Sequence, residues 1–347
     1  MRPQLSPKLP RMSITCSSQA KVCADLTMKM PQVLAKWQQK PKEKQKWLVL
    51  YNFPSPDRFS TAKAIRQACI EHGFFYLVNH GVDEELVKKV FEQSRNFFSL
   101  PVEDKMKLLQ RNHRGYARLY TIKLDPNPST KGDAREAFYM GPLADGHNQW
   151  PSEEDLPSWR STVETYYQKV ASVGTKLLSL IALSLNLDED LFEKLGALND
   201  PLAMMGLLHY PGDHLDSSNE EIHGASAHSD FGMITLLATD DVPGLQICRE
   251  KSEQPQVWED VPSLSGAFIV NIGDMMERWT NCMFRSVLHR VLPPEQERYS
   301  VAFFANPSTD CIIECLESCC SESCPPRFPP IKYSDFMQER LRLLYDL

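Results

Sequence analysis

His228 and Asp230 stand two apart in the stretch Gly224-Ala-Ser-Ala-His-Ser-Asp-Phe-Gly-Met-Ile-Thr-Leu-Leu237, which reads as a strand and its lead-in. In a strand, residues i and i+2 face the same side, so an imidazole and a carboxylate can share one metal ion. His289, in the run Arg285 to Leu292, is the candidate third ligand; if it faces inward, Val287 and Val291 do too and make an apolar wall. Two imidazoles and one carboxylate leave the remaining metal positions open, as ferrous oxygenases require for a cosubstrate and O2. Zinc can take the same three ligands and hydrolyse something. Arg298 and Ser300 argue against zinc. They too are two apart on an expected strand, and a guanidinium beside a hydroxyl suits the distal carboxylate of a dicarboxylic acid. Alone, a His-x-Asp is most often a capped turn or a surface pair, and Arg-x-Ser is commonplace. The weight lies in their joint occurrence in this order.

These side chains need a scaffold, and the hydrophobic periodicity supplies one. Ala64, Ile65, Ala68 and Cys69 recur at helical spacing, with Gly73 placed as a helix terminator and an apolar strand, Phe74 to Val78, behind it. Asp83 is an expected N-cap for a helix whose inner face carries Leu86, Val87, Val90, Phe91, Ser94, Phe97 and Phe98, and Pro101 starts another short helix. A long helix over about 158–185 turns Val163, Tyr166, Val170, Val173, Leu177 and Ile181 inward as the spine beneath a sheet. After Pro201 the rhythm is strand and turn, punctuated by Pro211-Gly212, Pro243-Gly244, Gly273-Asp274 and Pro293-Pro294. Many short strands with turn signals predict a double-sheet jelly roll, making the fold mainly β with supporting helices. The expected organisation is 1–50 as an atypical basic segment, 51–200 as a helical region, 201–310 as the jelly-roll core, and 311–347 as a Cys/Pro-rich segment with a last helix.

Composition narrows the function. The formal net charge of -7 argues against a nucleic-acid partner, and 42% hydrophobic residues suffice for a large core without any run long enough to span a membrane. Residues 1–50 hold ten Lys/Arg against Asp25 and Glu43, which reads as a flexible extension or, alternatively, a plastid transit peptide. The ten cysteines are read as reduced intracellular thiols. Cys311, Cys315, Cys319, Cys320 and Cys324 cluster but lack a C-x-x-C pair, so a loop with incidental thiols is expected rather than a zinc site. His209 is out of phase with Tyr210, and His214 and His223 fall in a polar loop, so none is an expected ligand; His80 and His113 are structural or pocket-rim candidates. Phe304 continues the Arg298, Ser300, Ala302 face and is expected to line the substrate site.

From about Ser60 to Leu344 the sequence resembles the plant-type 2-oxoglutarate and iron(II)-dependent dioxygenases. The likeness is carried by Gly73-Phe-Phe-Tyr-Leu-Val-Asn-His-Gly81, Tyr210-Pro211, His228-Ser-Asp230, Asn271-Ile-Gly-Asp274, Thr280-Asn281, Ser286-Val-Leu-His-Arg-Val291 and Arg298-Tyr-Ser300. Through His113-Arg-Gly-Tyr116 and Ala227-His-Ser-Asp-Phe-Gly-Met233 it is most similar to hyoscyamine 6-hydroxylase-like members. The resemblance implies iron(II) at His228, Asp230 and His289, and the far carboxylate of 2-oxoglutarate at Arg298 and Ser300 with Tyr210 assisting. It also implies O2 as oxidant, ascorbate as a stimulant, Tyr116 in the substrate pocket, and release of succinate and CO2 as a small metabolite is hydroxylated or desaturated. The expected enzyme is monomeric and cytoplasmic. Related iron oxidases that dispense with 2-oxoglutarate share Arg-x-Ser, and a non-catalytic receptor is the other alternative. Two departures stand out: Leu208-His209 replaces an Asn-Tyr pair, removing an amide contact to the cosubstrate, and the family's first strand is not evident in Trp47 to Phe53.

Overall fold

The structure, a computed structural model, describes residues 51–52, 57–124, 132–212 and 223–345. The chain divides into Met1–Leu48, which lies outside the described residues together with the basic-segment and transit-peptide readings, and a unit from Val49 to Leu347.

The second unit begins with β1 (Tyr51–Asn52), a two-residue strand parallel to β2 (Phe74–Val78), with Tyr51 opposite Leu77. This is the first strand that the sequence does not announce; two residues are too few to show an alternation. Between them α1 (Arg58–Glu71) is capped by Asp57, whose side chain accepts the Ser60 N–H, and buries Ile65, Ala68 and Cys69 as the spacing predicts, with Ala62 fully buried in place of the expected Ala64, which is only half-buried. Gly73 ends this segment at φ +67, and a Cβ there would lie 2.2 Å from the Arg285 carbonyl oxygen, so both backbone sign and space call for glycine. Next come α2 (Glu84–Phe98), capped by Asp83 as expected, and α3 (Val102–Lys107) after Pro101.

The region expected to be helical also contributes β3 (Gly115–Ala117) and β4 (Glu136–Met140), which pair antiparallel and extend the sheet. Both strands are short and almost wholly buried, so neither displays the polar alternation that marks a half-exposed strand. The helix α4 (Trp159–Ser184) is the long spine read from the periodicity, followed by the short α5 (Leu191–Lys194).

The strands that follow are β5 (Met204–Tyr210), β6 (Ala225–His228), β7 (Ile234–Thr239), β8 (Leu245–Cys248), β9 (Glu259–Asp260) and β10 (Ala267–Ile272). After the short α6 (Asp274–Trp279) come β11 (Leu288–Val291) and β12 (Arg298–Ala305). The major sheet runs β1-β2-β10-β7-β12-β5-β4-β3, and the minor sheet runs β6-β11-β8-β9. Side chains of both sheets line one cavity, so the pair forms the double-stranded β-helix that the turn-punctuated pattern predicts. Strand β12 shows how the layers divide. Arg298, Ser300, Ala302 and Phe304 face the cavity, while Phe303 on the opposite face meets Tyr167 of α4 edge-on at 5.2 Å. The last elements are β13 (Ile312–Ile313) and β14 (Ile331–Lys332), paired antiparallel, and α7 (Tyr333–Tyr345). No helix among the described residues is long and apolar enough to cross a membrane.

Candidate functional site

His228 closes β6 and is the register partner of His289 on β11, so the two imidazoles stand side by side with ring centroids 4.2 Å apart. Asp230, just beyond the strand end, places Oδ1 at 3.7 Å from His228 Nε2 and 3.6 Å from His289 Nε2. Among the described residues these three form a group whose ligand atoms all lie within 4.8 Å of one another. Their orientation is set by outer partners. His228 Nδ1 faces the Ser226 carbonyl oxygen at 2.7 Å and His289 Nδ1 faces that of Val287 at 3.2 Å; a proton on each Nδ1 leaves both Nε2 lone pairs aimed at the common centre. Asp230 Oδ2 accepts from Thr235 Oγ1 at 2.6 Å and Asn271 Nδ2 at 2.7 Å, which frees Oδ1. Phe74 of β2 meets His289 edge-on at 5.6 Å and fixes its tilt.

Electrostatics agree with a metal centre. Burial, with the neighbouring His289, pushes the His228 pKa well down, so the ring is held neutral and able to ligate. Burial alone would raise that of Asp230, but the two histidines and the bonds from Thr235 and Asn271 outweigh it and hold the carboxyl below its usual range. Two imidazoles and an ionised carboxylate are the donor set that a divalent iron accepts, and the residues present therefore fit that ion.

A small chamber of about 50 Å³ opens from this centre between the sheets and carries Arg298, Ser300 and Tyr210. Arg298 and Tyr210 are opposite each other across β12 and β5, with the guanidinium 4.8 Å above the ring centroid. Although 1% exposed, Arg298 makes, among the described residues, one long side-chain bond, Nη1 to Ser300 Oγ at 3.4 Å, and its Nε has no partner there. A buried fork with unclaimed donors fits the carboxylate of a dicarboxylic cosubstrate. Leu208, which departs from the family's amide, lines this same chamber.

A larger cavity of about 380 Å³ meets the first at His228 and Asp230 and is walled by Phe304, as the β12 face predicts, and by Phe231, Met204 and Leu202. Tyr116 is a correction. Its side chain packs against Phe97 in the core, and its hydroxyl donates to Glu136 Oε2 at 2.5 Å; its neighbours His113 and Arg114 line the cavity instead. The backbone here is not a regular strand, since Asn112, His113 and Gly115 take φ of +48, +60 and +105, so Arg114 and Tyr116 do not share a face although they are two apart. His80 is buried against Phe268, and His209 stacks on Tyr299 with Nδ1 2.8 Å from Glu136 Oε1, so neither belongs to the trio. The His223 carbonyl accepts from Ala134 N–H, and His214 lies outside the described residues. Thr235, Asn271 and Arg135 are site residues that sequence reasoning missed. For Asn271 the signal was present in the Asn-Ile-Gly-Asp stretch; for the others, proximity arises only on folding.

With this geometry in hand, comparison with known proteins gives a consistent answer. Residues 48–153 match the family described as non-haem dioxygenase in morphine synthesis N-terminal, and residues 202–307 match the 2OG-Fe(II) oxygenase superfamily. The chain is 42% identical over 303 residues to Kihadalactone A synthase of Citrus sinensis, covering 84% of this chain and 90% of that relative. It is 41% identical over 305 residues to Azadirone synthase of Melia azedarach, with the same coverage of 84% and 90%. Among solved structures, a full-length Neurospora crassa protein in complex with alpha-KG superimposes with a TM-score of 0.76 at 28% identity, covering 85% of this chain and 94% of that one. The chain belongs to the plant-type 2-oxoglutarate- and iron(II)-dependent oxygenase family and is a 2-oxoglutarate-dependent dioxygenase.

Proposed function

We propose that His228, Asp230 and His289 hold the iron(II), that Arg298, Ser300 and Tyr210 hold the far carboxylate of 2-oxoglutarate, and that a specialised metabolite occupies the larger cavity beside Phe304. The observation that carries this reading is the meeting of the two chambers at the trio, one anchored by the buried Arg298, the other, at about 380 Å³, roomy enough for a small organic molecule. When bound, iron and 2-oxoglutarate supply the oxidising power: substrate, O2 and 2-oxoglutarate become hydroxylated product, succinate and CO2.

The protein's share is orientation. Carbonyl oxygens of Ser226 and Val287 fix the two imidazoles, Thr235 and Asn271 fix the carboxylate, and Arg298 fixes the far end of the keto acid while Phe304 excludes water beside the reacting carbon. The names of the relatives, synthases of kihadalactone A and azadirone, support a specialised-metabolite substrate. The stretches His113–Tyr116 and Ala227–Met233 support a place near hyoscyamine-hydroxylase-like members, and we place the enzyme in the cytoplasm as a monomer.

Succinate release from iron-reconstituted protein, screened against metabolite extracts, tests the reading. We expect release that requires 2-oxoglutarate, O2 and extract, and that disappears together with bound iron in His228→Ala, Asp230→Ala and His289→Ala. Oxygen consumption without succinate would make the chain an oxidase that dispenses with the keto acid. Full iron occupancy in any one variant would remove that residue from the ligand set.

A further inference from the structure

A guanidinium borders both chambers: Arg135, just before β4, lines the small chamber with Arg298 and the larger cavity with Phe304. It is 8% exposed, and its Nε has no hydrogen-bond partner among the described residues. Its neighbours do not use up its donors. The Tyr210 hydroxyl is one contact, and Asp133 Oδ2 stands 3.4 Å from a terminal guanidinium nitrogen but itself has no hydrogen-bond partner. The other Asp133 oxygen accepts the Ser226 N–H at 2.9 Å, which ties this acid to the strand that carries His228. A guanidinium in a desolvated wall with unclaimed donors asks for an acceptor.

Charge decides the kind of acceptor. Arg135 is already matched by Asp133, and the second guanidinium of the larger cavity, Arg114, is matched by Asp145 at 3.5 Å; neither acid lines that cavity. The unmet need is therefore for a hydrogen-bond acceptor and not for a negative charge. Ile122, Leu124, Leu202, Met204, Phe231 and Phe304 make most of the remaining wall apolar, beside polar groups such as Asn112 and Asn306, and about 380 Å³ is room for a drug-sized molecule. We propose that Arg135 donates to a carbonyl oxygen of a neutral, largely apolar ring compound and so sets which substrate carbon stands beside His228 and Asp230. The substrate class is then a ketone, ester or lactone. This rests on reading the small chamber as the cosubstrate site. On that reading Arg298 and an ion held by the trio would take the two carboxylates of the keto acid, leaving Arg135 for the substrate.

Three related probes separate the possibilities: sclareolide, a neutral tricyclic lactone; ambroxide, the cyclic ether that lacks its carbonyl; and the ring-opened hydroxy acid. Binding of each, and of 2-oxoglutarate, is measured under nitrogen by equilibrium dialysis on the full chain loaded with manganese(II). The lactone is expected to bind wild type at least about tenfold more tightly than the ether, the gain of one hydrogen bond to a charged donor, with the acid no tighter than the lactone. Arg135→Met should bring lactone and ether within about twofold, leaving ether and 2-oxoglutarate affinities unchanged, and Arg135→Lys should fall between. The proposal is overturned if wild type shows no lactone preference, if the preference survives in Arg135→Met, or if the acid binds best. It is equally overturned if Arg135→Met loses 2-oxoglutarate affinity, which would make Arg135 a cosubstrate ligand. Failure of wild type to bind 2-oxoglutarate would remove the underlying reading, whereas 2-oxoglutarate binding without lactone preference removes this proposal alone.

Discussion

Replacing Arg298 by alanine should weaken 2-oxoglutarate binding without unfolding the protein or emptying the metal site, and the structure sets the size of both effects. Arg298 is fully buried, yet Nε is unpartnered and Nη1 reaches Ser300 only at 3.4 Å, so most of its donor capacity is held open for a ligand. Removing one partner of a buried charge pair costs about 3–5 kcal/mol. At about 1.4 kcal/mol per factor of ten, the dissociation constant of 2-oxoglutarate should rise by roughly two to three and a half powers of ten. Arg298→Lys keeps the charge but loses the planar fork, and should fall between. The assay is calorimetric titration of manganese(II)-loaded protein with 2-oxoglutarate under nitrogen, with bound metal measured on the same samples. Metal content should hold, because Arg298 is not in the trio. Stability should hold or rise, since a desolvated guanidinium with few internal bonds costs the free protein something that function repays. Binding within threefold of wild type in Arg298→Ala would refute the anchor. A fall in melting temperature as large as that of a core truncation would refute the claim that Arg298 serves the ligand and not the fold.

Asn271→Ala and Thr235→Ala each remove one bond to Asp230 and should lower metal affinity about 10–100-fold, read by chelator competition; unchanged affinity in both would show that Asp230 needs no outer support. Glu136 gathers Lys105, Tyr116 and His209, so Glu136→Ala should cost about 3–5 kcal/mol of stability in urea unfolding, and a loss under 1 kcal/mol would contradict the buried pair. Burial pushes the Glu136 pKa up, but bonds from His209, Tyr116 and Lys105 outweigh it and hold the carboxyl below its ordinary value. Its contribution is thus fully present above the unfolded-state pKa and lost as pH falls through the folded one, so the gap between wild type and Glu136→Gln should narrow under acid. The Cys311–Cys324 group should bind no zinc stoichiometrically; one zinc per chain, lost when these cysteines become serine, would prove otherwise.

What could be read from the sequence follows from how far each signal reaches along the chain. The spine α4, the cap Asp83, and the inward face of β12 rest on contacts between residues a few positions apart, where a period of 3.6 or 2 is visible. His228 and Asp230 belong to the same category, and His289 joined them because three chemically suited residues stood in a familiar order. The strands β3 and β4 were not legible, since both are buried and short and display no alternation. Tyr116 shows a different limit: resemblance located the segment, but positive φ at His113 and Gly115 breaks the strand period, so Arg114 lines the cavity while Tyr116, two residues on, packs in the core.

Glu136 and Arg135 mark the deepest limit. They are adjacent in sequence on the edge of β4, yet one is satisfied by Lys105, Tyr116 and His209 from α3, β3 and β5, while the other is left with open donors at the meeting of two chambers. No local pattern distinguishes these neighbours, because the difference lies in what the rest of the fold brings to each. A buried charge whose partners are complete belongs to stability; one whose partners are incomplete in the folded chain is a request for a ligand. Arg298 meets the second condition in the small chamber and Arg135 meets it where the two cavities join. Both line the chamber that holds the trio, and the two titrations above test which ligand each arginine takes.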